Sequence, residues 1–285
     1  MGYLGKFAGG IALVGLLSAG GVLAQQAGQA GQAGQAPAGT AASVVASQGR
    51  SMLGRGYLPA GTVPDSLLLN PLPPAPGSAA LARDEEAALA ALPLRGTPRW
   101  AQARIDADIF TATATDVMSC AAGLPIGPET TPKLNALLRK AGPDFAMAVY
   151  PTKQKYQRPR PFTVNNQPTC TPEMDAMIRK DGSYPSGHSA IGYGWGLILA
   201  ELMPERAAQL VARGRSFGDS RRICNVHWLS DVEEGRVVAT AVFARLHAEQ
   251  AFRDDIDAAR AEVAALRAKA PSLDCARETA ALAGG

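Results

Sequence analysis

Two histidines, an aspartate and several basic residues fall in three short stretches of the chain. Residues 220–231 read Ser-Arg-Arg-Ile-Cys-Asn-Val-His-Trp-Leu-Ser-Asp. If the segment is helical from His227 onward, His227 and Asp231 lie one turn apart on one face. A carboxylate on one ring nitrogen fixes the tautomer and leaves the other nitrogen free to attack or to take a proton. Arg221 offers an anionic oxygen a forked pair of donors. An attacking nitrogen beside an anion clamp points to chemistry on a phosphate. Residues 153–161, Lys-Gln-Lys-Tyr-Gln-Arg-Pro-Arg-Pro, add Lys153 and Arg160, so cations from three places can surround one dianion. Residues 182–189, Gly-Ser-Tyr-Pro-Ser-Gly-His-Ser, put Ser186, Gly187 and His188 ahead of a helix. A hydroxyl, free backbone amides and a helix N-terminus favour an anion there, with His188 at the rim.

Each stretch alone is also what an ordinary element would show: a basic loop, a turn before a helix, a helix start with a satisfied histidine. Their combination favours the chemical reading, because two of the three histidines fall inside them. His247, late in a helix and without a motif, is assigned no role. Other schemes fail on inspection. Gly187-His188-Ser189-Ala190-Ile191 lacks the closing glycine of a hydrolase elbow, and no strand precedes it. There is no phosphate-binding P-loop and no His-Glu-x-x-His. His227 and Asp231 could ligate a metal, but no third and fourth ligands stand near them in sequence.

The elements that must position these residues read as helices. A Pro-rich lead-in segment, 47–77, is too broken by prolines for a long helix. It is expected to lie across the surface with Leu67, Leu68 and Leu69 as contacts. Residues 78–92 are Ala/Leu/Glu-rich and stop at Pro93. Three helices then open on Thr-Pro, at 97–98, 131–132 and 171–172, where threonine can cap and proline suits the first helical position. The first is expected to reach Ala122. The second should end near Lys140 with Gly142 past its end, and Pro143 should open the next. A buried helix over 188–203 is too short for a comfortable membrane span and contains Glu201. An amphipathic helix over 204–215, one over 228–248 and a polar one over 250–268 complete the set. No stretch sustains strand alternation. The fold class is all-α: a single-domain helical bundle over 78–270, followed by a C-terminal tail, 271–285.

Composition bounds the function further. A chain of 285 residues, 47% hydrophobic and 19% charged, can bury one large core or two small ones. A net charge of +3, with no block of basic residues interleaved with aromatics, argues against a nucleic-acid partner. Residues 1–24 read as a signal peptide: one early lysine, an apolar run and a small residue at the cleavage position. This is favoured over an uncleaved anchor because no basic stop-transfer cluster follows. Residues 25–46, built of Ala, Gly and Gln, lack the large apolar side chains that ordering requires and are expected to be disordered. Cys120, Cys170, Cys224 and Cys275 fit two disulfides in an exported, periplasmic protein, with three pairings open.

Taken together, Lys153-x₆-Arg160-Pro161, Pro185-Ser186-Gly187-His188 and Ser220-Arg221-x₅-His227-x₃-Asp231 resemble the three-part signature of the type 2 phosphatidic acid phosphatase superfamily, PAP2. Gly56-Tyr-Leu-Pro, Asp181-Gly-Ser-Tyr-Pro-Ser-Gly-His and His227-Trp-Leu-Ser-Asp-Val resemble one branch of it, the bacterial class A non-specific acid phosphatases. The likeness spans roughly residues 50–268. It implies a PAP2-type helical bundle and hydrolysis of phosphate monoesters of broad range, with inorganic phosphate or vanadate as competing ligands. It implies that His227 is the nucleophile, Asp231 its orienting partner and His188 the general acid. Lys153, Arg160 and Arg221 would hold the phosphate with Ser186 and Gly187. It calls for no metal and no cofactor, and for no membrane once the leader is cleaved. It also admits a homo-oligomer. Two other readings of the same pocket remain: a vanadate-dependent haloperoxidase and a phosphate-binding protein without catalysis.

Overall fold

A glycine-rich apolar helix forms the centre of the molecule. The computed structural model describes Gly2, residues 53–267, Lys269 and residues 272–283. The expected leader, Gly2 apart, and the Ala/Gly/Gln-rich segment after it lie outside the described residues. Helices α1 Ser66–Leu69, α2 Ala79–Ala91, α3 Pro98–Ile105 and α4 Ser119–Ala122 come first. Next are α5 Pro132–Ala148, α6 Tyr150–Tyr156, α7 Pro161–Asn165 and α8 Asp175–Ile178. The long helices α9 Gly187–Leu202, α10 Ala207–Ile223, α11 Leu229–Leu246 and α12 Gln250–Arg267 follow, then α13 Ala276–Ala283. No strand occurs among the described residues, so the fold is the all-α bundle expected.

Helix α9 packs against α5, α10 and α11, and α12 packs against α5 and touches α9. Trp195, Ile191 and Ile198 of α9 are buried against Phe145, Leu138 and Phe217. The Trp195 indole N–H donates to the Leu138 carbonyl at 2.8 Å, which satisfies the one polar atom the ring brings inside. The helix backbones themselves touch. A Cβ on Gly214 of α10 would stand 2.7 Å from the Gly192 carbonyl oxygen. On α11, a Cβ at Gly235 would collide with the carbonyl of Ser186, the residue that caps α9.

Several boundaries differ from those expected, each for a physical reason. The Thr97 hydroxyl does cap α3, accepting the Trp100 amide at 3.4 Å. The helix stops at Ile105 rather than Ala122 because Asp106 and Asp108 give the chain other partners. Asp108 accepts the amides of Phe110 and Thr111, a local turn that competes with helix. Asp106 is fully buried and receives Arg213 and Ser220 of α10. Thr131 and Thr171 make no cap bond. Pro143 does not open a new helix but lies inside α5, where residues 141–146 are all buried. Tertiary packing there outweighs the ~3 kcal/mol that an interior proline typically costs. Helix α10 runs on past residue 215 to Ile223, because Arg213 and Arg221, charged in the sequence pattern, are inside.

In the lead-in segment Leu67 and Leu68 face outward, Leu68 at 86% exposure, and only Leu69 packs inward. The segment is held instead by Tyr57, whose amide donates to Asp144 at 2.7 Å and whose hydroxyl donates to Asp255 at 2.7 Å. Residues 276–283, read as tail, are helical. They are tied down by Glu278 on Arg213 at 2.9 Å and by a Cys120–Cys275 disulfide. The other bridge is Cys170–Cys224, so the structure selects one of the three pairings.

The contact of Gly235 with the start of α9 generates a prediction. Gly235→Ala forces apart two helices that carry site residues, and overpacking of this kind costs about 1–3 kcal/mol. Thermal unfolding should show a midpoint lowered by several degrees. Gly142→Ala, where a Cβ meets nothing within 4 Å, should not lower it.

Candidate active site

The site is assembled where the start of α9, the end of α10 and the start of α11 meet the loop after α6. Helix α11 begins at Leu229, so His227 precedes it and the pair is not one turn of helix. Asp231 sits in the first turn and its Oδ2 accepts the Trp228 amide at 2.8 Å, closing the helix start. The same oxygen accepts Nδ1–H of His227 at 3.2 Å. A side chain that caps its own helix thus also orients the residue just outside it. With Nδ1 carrying the hydrogen, Nε2 keeps its lone pair, and it accepts an N–H from Arg160 Nη1 at 3.1 Å.

Asp231 is wholly buried, and burial raises its pKa; Arg158 opposes that shift. Arg158 Nη1 donates to Asp231 Oδ1 at 2.7 Å, and its Nη2 to Asp84 of α2, also at 2.7 Å. Asp84 in turn accepts the amide and hydroxyl of Ser230 at 2.7 and 2.6 Å. Neither Arg158 nor Asp84 was picked out from sequence. Arg158 stands two residues before Arg160 in the same basic run, and nothing local tells which of the two turns toward the histidine. Asp84 lies in a polar-looking helix far along the chain and carries no local signal.

The three cations converge as expected. Lys153, Arg160 and Arg221 are 3%, 5% and 4% exposed and line one cavity of about 100 Å³ together with Gly187, His188 and His227. Burial lowers Lys153 to about 8, against the pull of Asp181. Arg221 is lowered to about 9 by burial and by neighbouring Arg160. Its Nη1 has only the sulfur of Cys224 at 3.7 Å, and its Nε is buried with no partner among the described residues. Ser220, the residue before it, is structural: its hydroxyl donates to Asp106 at 2.6 Å and accepts from Arg99 at 3.0 Å.

Ser186 caps α9, its hydroxyl oxygen accepting the Ser189 amide at 3.2 Å while its own amide donates to the Asp231 carbonyl at 2.8 Å. The capping oxygen still has a hydrogen to donate. Ser186 does not itself line the cavity; Gly187 and His188 do, at the end of the helix where amides lack intrahelical partners. His188 Nε2 lies 3.0 Å from the Ala107 carbonyl, which makes Nε2 the protonated nitrogen. Burial, then Arg221, pushes His188 well below its ordinary pKa. Burial, then Arg160, does the same to His227. Both rings are therefore neutral near pH 7, the form in which His227 can attack. Beyond the charged seat the walls are apolar, with Ile109, Phe110, Met147, Tyr150, Met177 and Ile178. Among the described residues no cluster of three or more His, Cys, Asp or Glu side chains is arranged to hold a metal ion. No helix among them is long and apolar enough to cross a membrane. Asp181, which bonds Lys153 and Arg160, was quoted only as flanking text.

Comparison with known proteins shows the family. Residues 137–253 match the PAP2 superfamily. An acid phosphatase of Zymomonas mobilis is 39% identical over 210 residues, covering 74% of this chain and 80% of the relative. A non-specific acid phosphatase of Salmonella typhi is 42% identical over 197 residues, 67% of this chain and 78% of the relative. One from Providencia stuartii is 37% identical over 212 residues, 74% and 86%. The chain belongs to the PAP2 superfamily, in the branch of the bacterial class A non-specific acid phosphatases.

The buried pair of Arg158 and Asp231 yields a prediction. Arg158→Ala leaves two carboxylates, Asp84 and Asp231, without their shared cation, and breaking such a buried pair costs about 3–5 kcal/mol. The variant should melt far below the parent and lose turnover through a misplaced His227. Arg158→Lys should recover part of the stability but less of the turnover, since one ammonium cannot bridge both carboxylates in the fixed geometry of a fork.

Proposed function

We propose that this protein is an exported acid phosphatase that hydrolyses phosphate monoesters of broad leaving group through a phosphohistidine on His227. The observation that carries the proposal is Arg221. It is a buried guanidinium without a carboxylate partner among the described residues, in the same cavity wall as Nε2 of His227, the ring nitrogen that Asp231 leaves unprotonated. A buried charge left unpaired is costly, and an anion in the cavity removes that cost.

In this reading Lys153, Arg160 and Arg221 receive the phosphate oxygens, joined by the amides at the start of α9, which the Ser186 hydroxyl behind the cavity wall holds in place as the helix cap. His227 Nε2 attacks phosphorus and the bond to the ester oxygen breaks. His188, as its protonated form, gives that oxygen a proton and the alcohol leaves. The charge that appears on the His227 ring is stabilised by Asp231 through Nδ1–H. Neutral His188 then takes a proton from water as the water oxygen attacks phosphorus. The nitrogen–phosphorus bond breaks and inorganic phosphate leaves. Donors fixed in place before reaction supply the charge stabilisation, so the scheme assigns no role to a metal. Inorganic phosphate and vanadate are proposed to compete for the same seat. Export to the periplasm is supported by the leader-like residues 1–24 and the two disulfides.

The two histidines separate experimentally by leaving group. After dialysis against chelator, His227→Ala should fail on nitrophenyl and alkyl phosphates alike. His188→Ala should lose roughly 10²–10⁴-fold on the alkyl ester. It should lose far less on the nitrophenyl ester, which leaves readily without a proton, and labelled phosphate should remain trappable on the protein. Equal, flat losses for both variants across both esters would overturn the assignment of roles.

The lowered histidines set the pH dependence. His188 holds its proton in the free protein only below a pKa that lies under the usual ~6.5. Raising pH through that range removes the acid, so kcat/KM on the alkyl ester should fall as pH rises. Lowering pH further protonates His227 and removes the nucleophile. The profile should therefore peak on the acid side of ~6.5, and His188→Ala should lose the alkaline limb.

A further inference from the structure

The reaction scheme leaves one charged residue of the cavity lining unused. Among the described residues that line the cavity, Asp181 is the only carboxylate. Its Oδ2 is 3.1 Å from Arg160 Nη2 and 3.4 Å from Lys153 Nζ, two of the three cations that face the cavity. Its Oδ1 is buried with no hydrogen-bond partner among the described residues. The residue cannot drift away. Its backbone oxygen accepts Arg160 Nε at 3.1 Å, and its amide donates to the Ile178 carbonyl at 3.1 Å. The following Gly182 is pressed so close to the end of α6 that a Cβ would stand 2.9 Å from the Lys153 carbonyl oxygen.

A carboxylate present only to support the cations would use both oxygens, as a forked pair does. Here one oxygen takes both cations and the other is buried without a hydrogen-bond partner among the described residues. The charges also balance in a particular way. With both histidine rings neutral, three cations and one carboxylate leave a charge of +2, the opposite of a phosphate dianion; without the carboxylate the seat would be +3. At separations of a few ångströms in a buried site, a single charge alters anion affinity by an order of magnitude or more. Affinity felt equally by substrate, transition state and product does not speed the chemistry, and in a product it slows release.

Resting on the reading of this cavity as a phosphate seat, we infer that Asp181 is an internal counter-anion. It shares Lys153 and Arg160 with the bound phosphoryl group, weakens binding of the free phosphate dianion, and so keeps the product from occupying the site. Asp181 is a tuning residue: it makes and breaks no bond of the substrate.

The test is the affinity for inorganic phosphate, which does not depend on turnover. Calorimetric titration and competitive inhibition are measured on the full chain and on Asp181→Asn, which keeps the size and one acceptor oxygen but removes the charge. The inhibition constant for phosphate and KM should fall together by roughly tenfold or more, about 1.4 kcal/mol per tenfold, with kcat not raised. An unchanged or weaker affinity for phosphate overturns the inference, because it shows that Asp181 serves only to position Arg160 and Lys153. If the helical circular dichroism of Asp181→Asn shows that it does not fold, Asp181→Ser takes its place under the same two outcomes. Absence of phosphate binding to the unaltered protein would instead remove the phosphatase reading itself, so the two failures are distinguishable.

Discussion

The carboxylate of Asp231 has no exposure to solvent, and the site is arranged around the need to satisfy it. A buried anion is costly unless donors and cations compensate it. Here the donors are the Trp228 amide, the His227 ring and the Arg158 guanidinium. Each has a consequence. The amide bond starts α11, the ring bond sets the tautomer of His227, and the guanidinium recruits Asp84 and with it α2. The backbone carbonyl of Asp231 also receives the amide of Ser186, which fixes the cap of α9 and hence where His188 enters the cavity. Three segments distant in sequence are thereby referred to one residue.

A second constraint is that the cavity is lined by three buried cations. Lys153 at about 8 and Arg221 at about 9 show what burial does to ammonium and guanidinium groups that lack full compensation. The surrounding structure resists the tendency of such a seat to swell. The Cys170–Cys224 bridge lies beside Arg221, and Ser220 is locked onto Asp106, which also holds Arg213. Arg213 is in turn held by Glu278 of α13, which Cys120–Cys275 ties to the body of the bundle. The position of one cavity-lining arginine is therefore supported by the C-terminal helix.

Much of this was legible in the sequence because the chemistry is written in short, local motifs. The helix-before-anion geometry of Pro-Ser-Gly-His, the spacing of His227 and Asp231, and the basic run at 153–161 all report on residues within a few positions of one another. Helix content was legible from proline punctuation and from the lack of alternation. The errors share a cause. Pro143, the end of α3 and the extent of α10 were misjudged where buried polar or special residues break a local rule and tertiary contacts repair it. Asp106 with Arg213 is the clearest instance: a charge that reads as surface is core because its partner lies 107 residues away.

By itself, then, the sequence determined that this is an all-helical chain with three phosphate-type motifs, and which histidines, cations and aspartate belong to them. Tertiary structure alone decided how His227 meets Asp231, not as neighbours on a helix face but through the capped start of α11. It alone brought in Arg158 and Asp84, chose the disulfide pairing, and set Asp181 against Lys153 and Arg160. The physical reason is one of range. Capping, turn and periodicity signals act over a few residues and leave their mark in the string of letters. Compensation of a buried charge acts across space, and its partner is whichever residue the packing of helices delivers.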